Sequence, residues 1–251
     1  MPSPKAIVLI TGANQGIGFA TAQQLASTSN FHVLVGARSA LKAQAAVKEL
    51  ESVAVNKSAL TPITIDVTDD ASIAAAAKSV SDEFGRLDIL INNAGIAQAP
   101  DTNGTLREQY RQIFDVNVFG VAVVMDAFLP LLRASTYPDR RIVNVTSGQG
   151  LISRAGKKGH PSNAKAYFIP DYRSSKSAVN MITAAYSVNL EDEKIAVIAA
   201  APGYCRTSLT DGKGAKEATD GAKVIVRAAS EGDPGELSGK YIADESWSFG
   251  W

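Results

Sequence analysis

The chain contains 251 residues, of which 45% are hydrophobic and 20% charged, and its 25 basic and 25 acidic side chains give a formal net charge of zero. This composition excludes a disordered chain and suits one large α/β domain about as well as two small ones. The balanced charge argues against nucleic acid or an anionic membrane as a partner, because both require a basic face.

The N-terminal segment and the cysteine count indicate where the protein resides. Cys205 is the only cysteine, so the sequence predicts neither an internal disulfide nor a cysteine-based metal site, and we expect no bound metal. The first apolar run, 6–10, is too short for a signal peptide, and we expect no later stretch to reach the length of a membrane span. We therefore expect an intracellular, cytoplasmic protein.

Seven short apolar runs have the composition of β-strands. Val, Ile and Leu fill these runs continuously, as in strands covered on both faces. Segments of helical composition separate them, notably 39–52, 69–84 and 213–230. This alternation predicts an α/β fold with a mostly parallel, doubly wound sheet of about seven strands and helices on both faces. The predicted strands are AIVLIT (6–11), FHVLVG (31–36), TPITID (61–66), LDILIN (87–92), RIVNVTS (141–147), KIAVIAA (194–200) and KYIA (240–243).

The chain shows no linker, long charge run or repeat that would divide it, so residues 1–251 are predicted to form a single domain. One irregular stretch lies at 148–170, where four glycines and two prolines are expected to break any helix. A loop of this length inside a compact domain is more often functional or mobile than accidental.

The first predicted strand leads into TGANQGIG (11–18), and a helical segment follows. Gly12 permits a tight turn, Gly16 lets the backbone approach a pyrophosphate, and Gly18 lets the helix pack close to the sheet. The free N–H groups at the helix N-terminus then face the phosphates. The position of this motif, directly after the first strand, favours a dinucleotide-binding loop over a purely structural turn.

The second predicted strand ends at Gly36, Ala37 and Arg38, without an acidic residue. An acid there would bind the adenosine 2′-hydroxyl, whereas Arg38 can pair with a 2′-phosphate. Such a contact, of about 1.5–3 kcal/mol, favours NADP(H) over NAD(H). Gln15 supplies no second positive charge, so we expect a preference and not exclusion; a solvated surface arginine is the alternative.

Tyr172 and Lys176 stand four residues apart in YRSSK, a spacing that places them on one face of a helix. A phenol has a pKa near 10, too high for a base at neutral pH. A nearby ammonium and a helix N-terminus just after Pro170 would favour the phenolate.

Further polar groups follow other predicted strands. Ser147 ends the fifth strand, so its hydroxyl should emerge at the carboxyl edge of the sheet, where doubly wound folds bind ligands. NNAG (92–95) ends the fourth strand and PGYCRT (202–207) ends the sixth, where Thr207 could hydrogen-bond a carboxamide. Asn117 lies in a helical segment; a capping or buried structural amide is its simpler interpretation.

Taken together, these motifs resemble the short-chain dehydrogenase/reductase family over essentially the whole chain, and most of all its NADPH-dependent carbonyl reductases. The resemblance implies a Rossmann-type fold. It also implies that Tyr172 is the general acid/base, that Lys176 lowers its pKa and holds the ribose, that Ser147 orients the carbonyl oxygen, and that Asn117 holds a water in a proton relay.

The resemblance also implies which residues hold the cofactor, NADP(H). Asp66 and Val67 match the adenine-contacting position, and the glycine-rich loop, NNAG and PGYCRT form the rest of the site, with Tyr172 and Lys176 shared between cofactor and catalysis. The implied cofactor residues are Gly12, Asn14, Gln15, Gly16, Ile17, Gly18, Arg38, Asp66, Val67, Asn93, Ala94, Gly95, Tyr172, Lys176, Pro202, Gly203, Cys205 and Thr207.

The sequence departs from the family pattern between Ser147 and Tyr172, which are farther apart than usual. The extra residues could cover a helix that relatives use to dimerise, or could cap the substrate. A basic cluster in this loop, Arg154, Lys157 and Lys158, could attract an anionic substrate or form a solvated surface.

Two further segments are unusual. The stretch after Thr207 is short and rich in Gly, Lys and Ala, which indicates an open pocket, and Cys205 there is expected to be a small apolar residue beside the cofactor. The aromatic C-terminus, with Trp247, Phe249 and Trp251, is expected to pack on the core or on a neighbouring subunit.

The resulting hypothesis is an NADPH-dependent oxidoreductase that transfers a hydride to a ketone, aldehyde or quinone. Reduction of a C=N bond, oxidation of an alcohol, and NADPH binding without turnover remain alternatives. The expected partner is a small-molecule carbonyl substrate; the sequence leaves monomer and homo-oligomer both open.

Overall fold

The computed structural model describes residues 5–160, 162–165 and 168–243. Their strands carry the apolar runs found in the sequence. The strands are β1 (Ala6–Ile10), β2 (Phe31–Ala37), β3 (Leu60–Thr64), β4 (Ile89–Asn92), β5 (Arg141–Val145), β6 (Ala196–Ala201), β7 (Cys205–Arg206), β8 (Lys216–Glu217) and β9 (Tyr241–Ala243).

Helices connect these strands. They are α1 (Gly16–Ala26), α2 (Ala40–Leu50), α3 (Asp70–Phe84), α4 (Leu106–Phe114), α5 (Gly120–Ala134), α6 (Ile152–Ala155), α7 (Pro170–Asn189), α8 (Ala218–Ser230) and α9 (Pro234–Leu237), with a π-helical turn (Asp115–Phe119) between α4 and α5.

Seven of the strands form one parallel sheet in the order β3-β2-β1-β4-β5-β6-β9, while β7 and β8 pair only with each other among the described residues. The predicted doubly wound, Rossmann-type α/β fold is therefore confirmed. The direction of strand order reverses between β1 and β4, and parallel sheets of this kind bind ligands in the crevice at that point.

Each face of the sheet has its own apolar core. In β1, Val8 and Ile10 point towards α1, α2 and α8, whereas Ile7 and Leu9 point towards α3, α5 and α7. This alternation follows from the two-residue period of a strand. Because both faces are covered, the strand is apolar throughout, which explains the continuous runs in the sequence.

One helical run, Leu106–Ala134, is long and apolar enough to meet the length and composition of a membrane span. The expectation that no stretch would do so was wrong. More than half of its most apolar window is buried inside the fold, as in a core helix, and Phe128 and Leu132 of α5 belong to the core beneath the sheet.

Two local expectations also need correction. The stretch 148–170 does contain helix, because Gly148–Gly150 forms a 3₁₀ turn and Ile152–Ala155 forms α6 before the next glycine ends it. The predicted helix 213–230 begins only at Ala218, since Lys216 and Glu217 pair with β7. Trp247, Phe249 and Trp251 lie outside the described residues.

The insertion after β5 is tied to the helix that follows it. The buried Arg173, near the start of α7, donates from Nη2 to the Ser162 carbonyl at 2.7 Å and from Nη1 to the Gln149 carbonyl at 3.5 Å. Within the insertion, the Ala164 N–H donates to the Ala155 carbonyl at 3.0 Å. Arg173 therefore joins the start of the insertion and its later part, at Ser162, to α7.

A second buried arginine closes the opposite edge of the fold. Arg141 of β5, fully buried, forms a bidentate ion pair with Asp139 and donates to the carbonyls of Ala228, Glu231 and Gly232 at the C-terminus of α8. These carbonyls would otherwise be orphan acceptors at a helix end.

We predict that Arg141→Met lowers the free energy of unfolding by about 3–5 kcal/mol, because it leaves a carboxylate and three carbonyls unpaired. Urea unfolding measures this loss. Arg133→Met, which breaks the exposed Arg133–Glu193 pair, is the matched control and should lose at most about 1 kcal/mol. Equal losses in the two variants would show that burial of Arg141 is not what matters.

Candidate active site

A cleft of about 570 Å³ opens at the carboxyl edge of the sheet. It is lined by residues that follow β1, β2, β3, β4, β5 and β6, together with two residues of α7. Every residue that the sequence predicted for the site lines this cleft, except Asn117. The lining residues that were predicted are Gly12, Asn14, Gln15, Gly16, Ile17, Gly18, Arg38, Asp66, Val67, Asn93, Ala94, Gly95, Ser147, Tyr172, Lys176, Pro202, Gly203, Cys205 and Thr207.

The glycine-rich loop has the geometry that its sequence predicts. Gly12 adopts φ +64°, a left-handed conformation that disfavours other residues. A Cβ at Gly18 would lie 2.5 Å from the Gly12 carbonyl oxygen, so only glycine allows α1 to start this close to the strand. The first turn of α1 carries no acidic side chain, which leaves its N–H groups and positive dipole end available to an anion.

Hydrogen bonds fix this loop to the end of β4. The Thr11 hydroxyl accepts from the backbone N–H groups of Asn93 and Ala94, each at 3.0 Å. The Asn93 amide donates to the carbonyls of Thr11 and Gly12 at 2.9 and 3.1 Å. Asn93 and Thr11 therefore shape the loop, and this role of Thr11 was not predicted from the sequence.

At the far end of the cleft lie two exposed cations, Arg38 after β2 and Lys42 in the first turn of α2. Lys42 was not predicted from the sequence. Asp66 lies on the opposite side, and its Oδ1 accepts from the N–H and hydroxyl of Thr68 at 3.0 and 2.7 Å. This end of the cleft can therefore take a group with more than one negative charge.

The three groups with acid–base chemistry meet near the start of α7. The Ser147 hydroxyl lies close enough to the Tyr172 hydroxyl to favour its phenolate form. Lys176 Nζ lies 5.9 Å from the centroid of the Tyr172 ring and donates to the Val145 carbonyl at 2.9 Å. As predicted, Tyr172 and Lys176 share one helix face, and the helix begins at Pro170.

Burial shifts the pKa values of Tyr172 and Lys176. It raises the pKa of Tyr172 above 10, an effect that the Ser147 hydrogen bond opposes, and it lowers the pKa of Lys176 to about 8. Desolvation of the phenolate is the larger of these two effects on the pKa of Tyr172, and the expected effect of Lys176 on the same pKa stays a prediction. Tyr172 is therefore a neutral hydrogen-bond donor at neutral pH.

Asn117 is fully buried within the π-helical turn, behind the cleft. Its amide donates to the Ile96 carbonyl at 2.8 Å and to the Ser175 hydroxyl at 3.0 Å, and its Oδ1 accepts from the Ile96 N–H at 2.9 Å. Ser175 in turn donates to the Tyr172 carbonyl at 2.7 Å. The side chain thus joins the segment after β4 to α7, and a water held by Asn117 would have to use its backbone carbonyl.

The segment after β6 closes the remaining side. Cys205 is buried, its thiol lies 3.4 Å from the Pro202 carbonyl, and burial raises the pKa of the thiol, in keeping with an apolar packing role. Gln15 donates to the Ser208 hydroxyl at 3.3 Å, which bridges the glycine-rich loop and this segment. Ser208 and Leu209 line the cleft and were not predicted.

Comparisons with known proteins identify the family of this chain. The short chain dehydrogenase profile matches residues 6–218. Short-chain dehydrogenase anuI of Penicillium roqueforti (strain FM164) is 60% identical, over 98% of each chain. Short-chain dehydrogenase/reductase eupG of Phoma sp is 36% identical, over 97% of this chain and 94% of that protein.

Solved structures give the same result. NADPH-bound carbonyl reductase from chicken fatty liver superposes with a TM-score of 0.83 at 29% identity, covering 99% of this chain and all of that chain. ElxO with NADP bound gives a TM-score of 0.77 at 25% identity, covering 96% and 97%. The chain belongs to the short-chain dehydrogenase/reductase family, and it is an oxidoreductase of that family.

The buried Lys176 makes stability depend on pH. Its pKa falls from an ordinary value of 10.5 to about 8 in the folded chain, so between these pH values the unfolded chain binds more protons and stability rises with pH. We predict that wild type gains about 2 kcal/mol relative to Lys176→Met between pH 7 and 9.5.

Urea unfolding of the cofactor-free proteins at both pH values measures this gain. Lys78→Met, at an exposed position on α3, serves as the control. A difference between wild type and Lys176→Met that does not change with pH would contradict the lowered pKa.

Proposed function

We propose that the protein is an NADPH-dependent reductase of a ketone, aldehyde or quinone. The observation that carries this proposal is that Ser147 and Tyr172, whose hydroxyls interact, line the same cleft as the glycine-rich loop and Lys176. Two hydroxyls that meet at one point can hold one oxygen atom between them.

The lining residues fit a phosphorylated dinucleotide. Gly12, Gly16 and Gly18 leave the loop free of side chains where a pyrophosphate would approach the start of α1. Arg38 and Lys42 supply two positive charges at the end where a 2′-phosphate would lie, and no acidic residue follows β2 there. The NADP-bound state of two structural neighbours supports the same choice.

NADPH, when bound, supplies the hydride that reduces the carbonyl carbon. Tyr172 donates a hydrogen bond to the carbonyl oxygen and transfers its proton as the oxygen becomes an alkoxide, which yields the alcohol. The raised pKa of Tyr172 keeps this proton in place until then. Tyr172 regains a proton from solvent.

Two neighbours support this transfer. Ser147 donates a second hydrogen bond to the same oxygen and so fixes its position. Lys176, with a pKa of about 8, is largely cationic at neutral pH and stabilises the phenolate that Tyr172 leaves behind. Asn117 positions Tyr172 indirectly, through Ser175.

We predict that Tyr172→Phe lowers kcat by about 10²–10⁴-fold while NADPH binding persists, because only the proton donor is lost. NADPH consumption with ketones, aldehydes, quinones, imines and, in reverse, alcohols measures turnover. Tyr186→Phe, on the same helix, is the control. Turnover of imines alone would replace the carbonyl assignment, and binding without turnover of any compound would overturn the reductase.

We predict that Arg38→Asp lowers the NADPH/NADH affinity ratio by about 10–100-fold, because it removes a charge-assisted contact and adds a like charge. Lys42→Ala should lower the same ratio less, since an ammonium group cannot form the bidentate pair that a guanidinium forms with a phosphate. Fluorescence titration with both cofactors measures the ratio, and Lys48→Ala, on the exposed far end of α2, is the control. An unchanged ratio in Arg38→Asp would contradict the NADP(H) preference.

A further inference from the structure

The insertion between Ser147 and α7 carries an unusual charge for this neutral chain. Residues 148–169 contain no Asp or Glu, but they contain four basic residues, Arg154, Lys157, Lys158 and Lys165. Lys157, Lys158 and Lys165 are exposed. Arg154 differs from them because it is partly buried, with its guanidinium against Gly148 and Tyr241.

The position of Arg154 is defined by Gly148 and Tyr241. A Cβ built on Gly148 would lie 2.9 Å from Arg154 Nη1, so the guanidinium occupies the space that a side chain at 148 would need. Gly148 directly follows Ser147. The guanidinium carbon also lies 6.0 Å from the centroid of the Tyr241 ring. Arg154 thus lies against the residue that follows Ser147 in the chain.

Tyr241 links Arg154 to the proton donor. Its ring is buried against Leu151 and Ala199, which fixes its place. The Tyr241 hydroxyl interacts electrostatically with Arg154 and with Tyr172. Arg154 and Tyr172 therefore both lie near the Tyr241 hydroxyl.

Arg154 is partly buried, and no carboxylate of the described residues forms an ion pair with it. The acid nearest to Tyr172 along α7 is Asp171, whose Oδ1 already accepts from the Tyr172 N–H at 2.8 Å. A charge withdrawn from water without a counter-charge is unfavourable, so a guanidinium placed here favours an anionic ligand.

We propose that Arg154 binds a carboxylate of the substrate, so that the preferred substrate is a carbonyl compound that carries an acidic group. The planar guanidinium matches a carboxylate in a bidentate pair, which would fix the carbonyl relative to Ser147 and Tyr172. Lys157 and Lys158 would add a positive field at the surface. This inference rests on the proposed reduction and identifies the class of its substrate.

The test compares 4-formylbenzoate with its neutral methyl ester as substrates for NADPH-dependent reduction. Wild type should prefer the acid by about tenfold or more in kcat/KM. Arg154→Met should lower kcat/KM for the acid by about 10–100-fold, mainly through KM, and leave the ester within about twofold. Arg154→Lys should retain part of the preference, and Lys157→Met, an exposed neighbour, should retain most of it.

A binding measurement separates failure of this inference from failure of the reductase. Calorimetry measures binding of terephthalate, which has no reducible carbonyl, to wild type and Arg154→Met in the presence of NADP⁺. Weaker binding by Arg154→Met supports the carboxylate site even if neither aldehyde is reduced. Equal binding, or no binding by wild type, overturns it, as does an equal loss of activity towards acid and ester in Arg154→Met.

Discussion

The hydrogen bonds between Thr11 and Asn93 join the ends of β1 and β4, the two strands between which the sheet order reverses. They hold the glycine-rich loop over the crevice and leave Gly18 no room for a side chain, because a Cβ there would meet the Gly12 carbonyl. The start of α1, and with it the phosphate end of the cleft, depends on this junction. Two short polar side chains thus set the geometry of the cofactor site.

A second set of buried polar contacts fixes α7 to the sheet. Thr146 donates to Asn180 at 2.6 Å, and Asn144 donates to Thr183 at 3.0 Å. Lys176 adds its bond to the Val145 carbonyl. Since unpaired buried polar groups are costly, these bonds admit essentially one register of the helix on β5. Tyr172 reaches Ser147 because that register is fixed.

Much of this arrangement could be predicted from the sequence, since apolar periodicity determines the sheet and strand ends determine its polar edge. The prediction was incomplete where tertiary contacts decide. Asn117 fits its simpler interpretation as a buried structural amide, because its side chain bonds to Ile96 and Ser175, and its role in holding a water stays a prediction. The burial of Tyr172, which raises its pKa, could not be seen from a single sequence. Lys42 was missed because only folding brings α2 to the cleft.

The attachment of the insertion to Arg173 has an evolutionary consequence. That side chain holds the Gln149 and Ser162 carbonyls, while its neighbour Tyr172 has its own contacts with Ser147 and Asp171. Gly150 must stay, because its carbonyl accepts from Ser177 and Asn180 of α7, but the exposed residues between the anchors, such as Lys157 and Lys158, can be exchanged without moving the proton donor. Selection can therefore alter which molecules enter the site while the chemistry stays constant, so that new substrates are acquired by changing one surface segment.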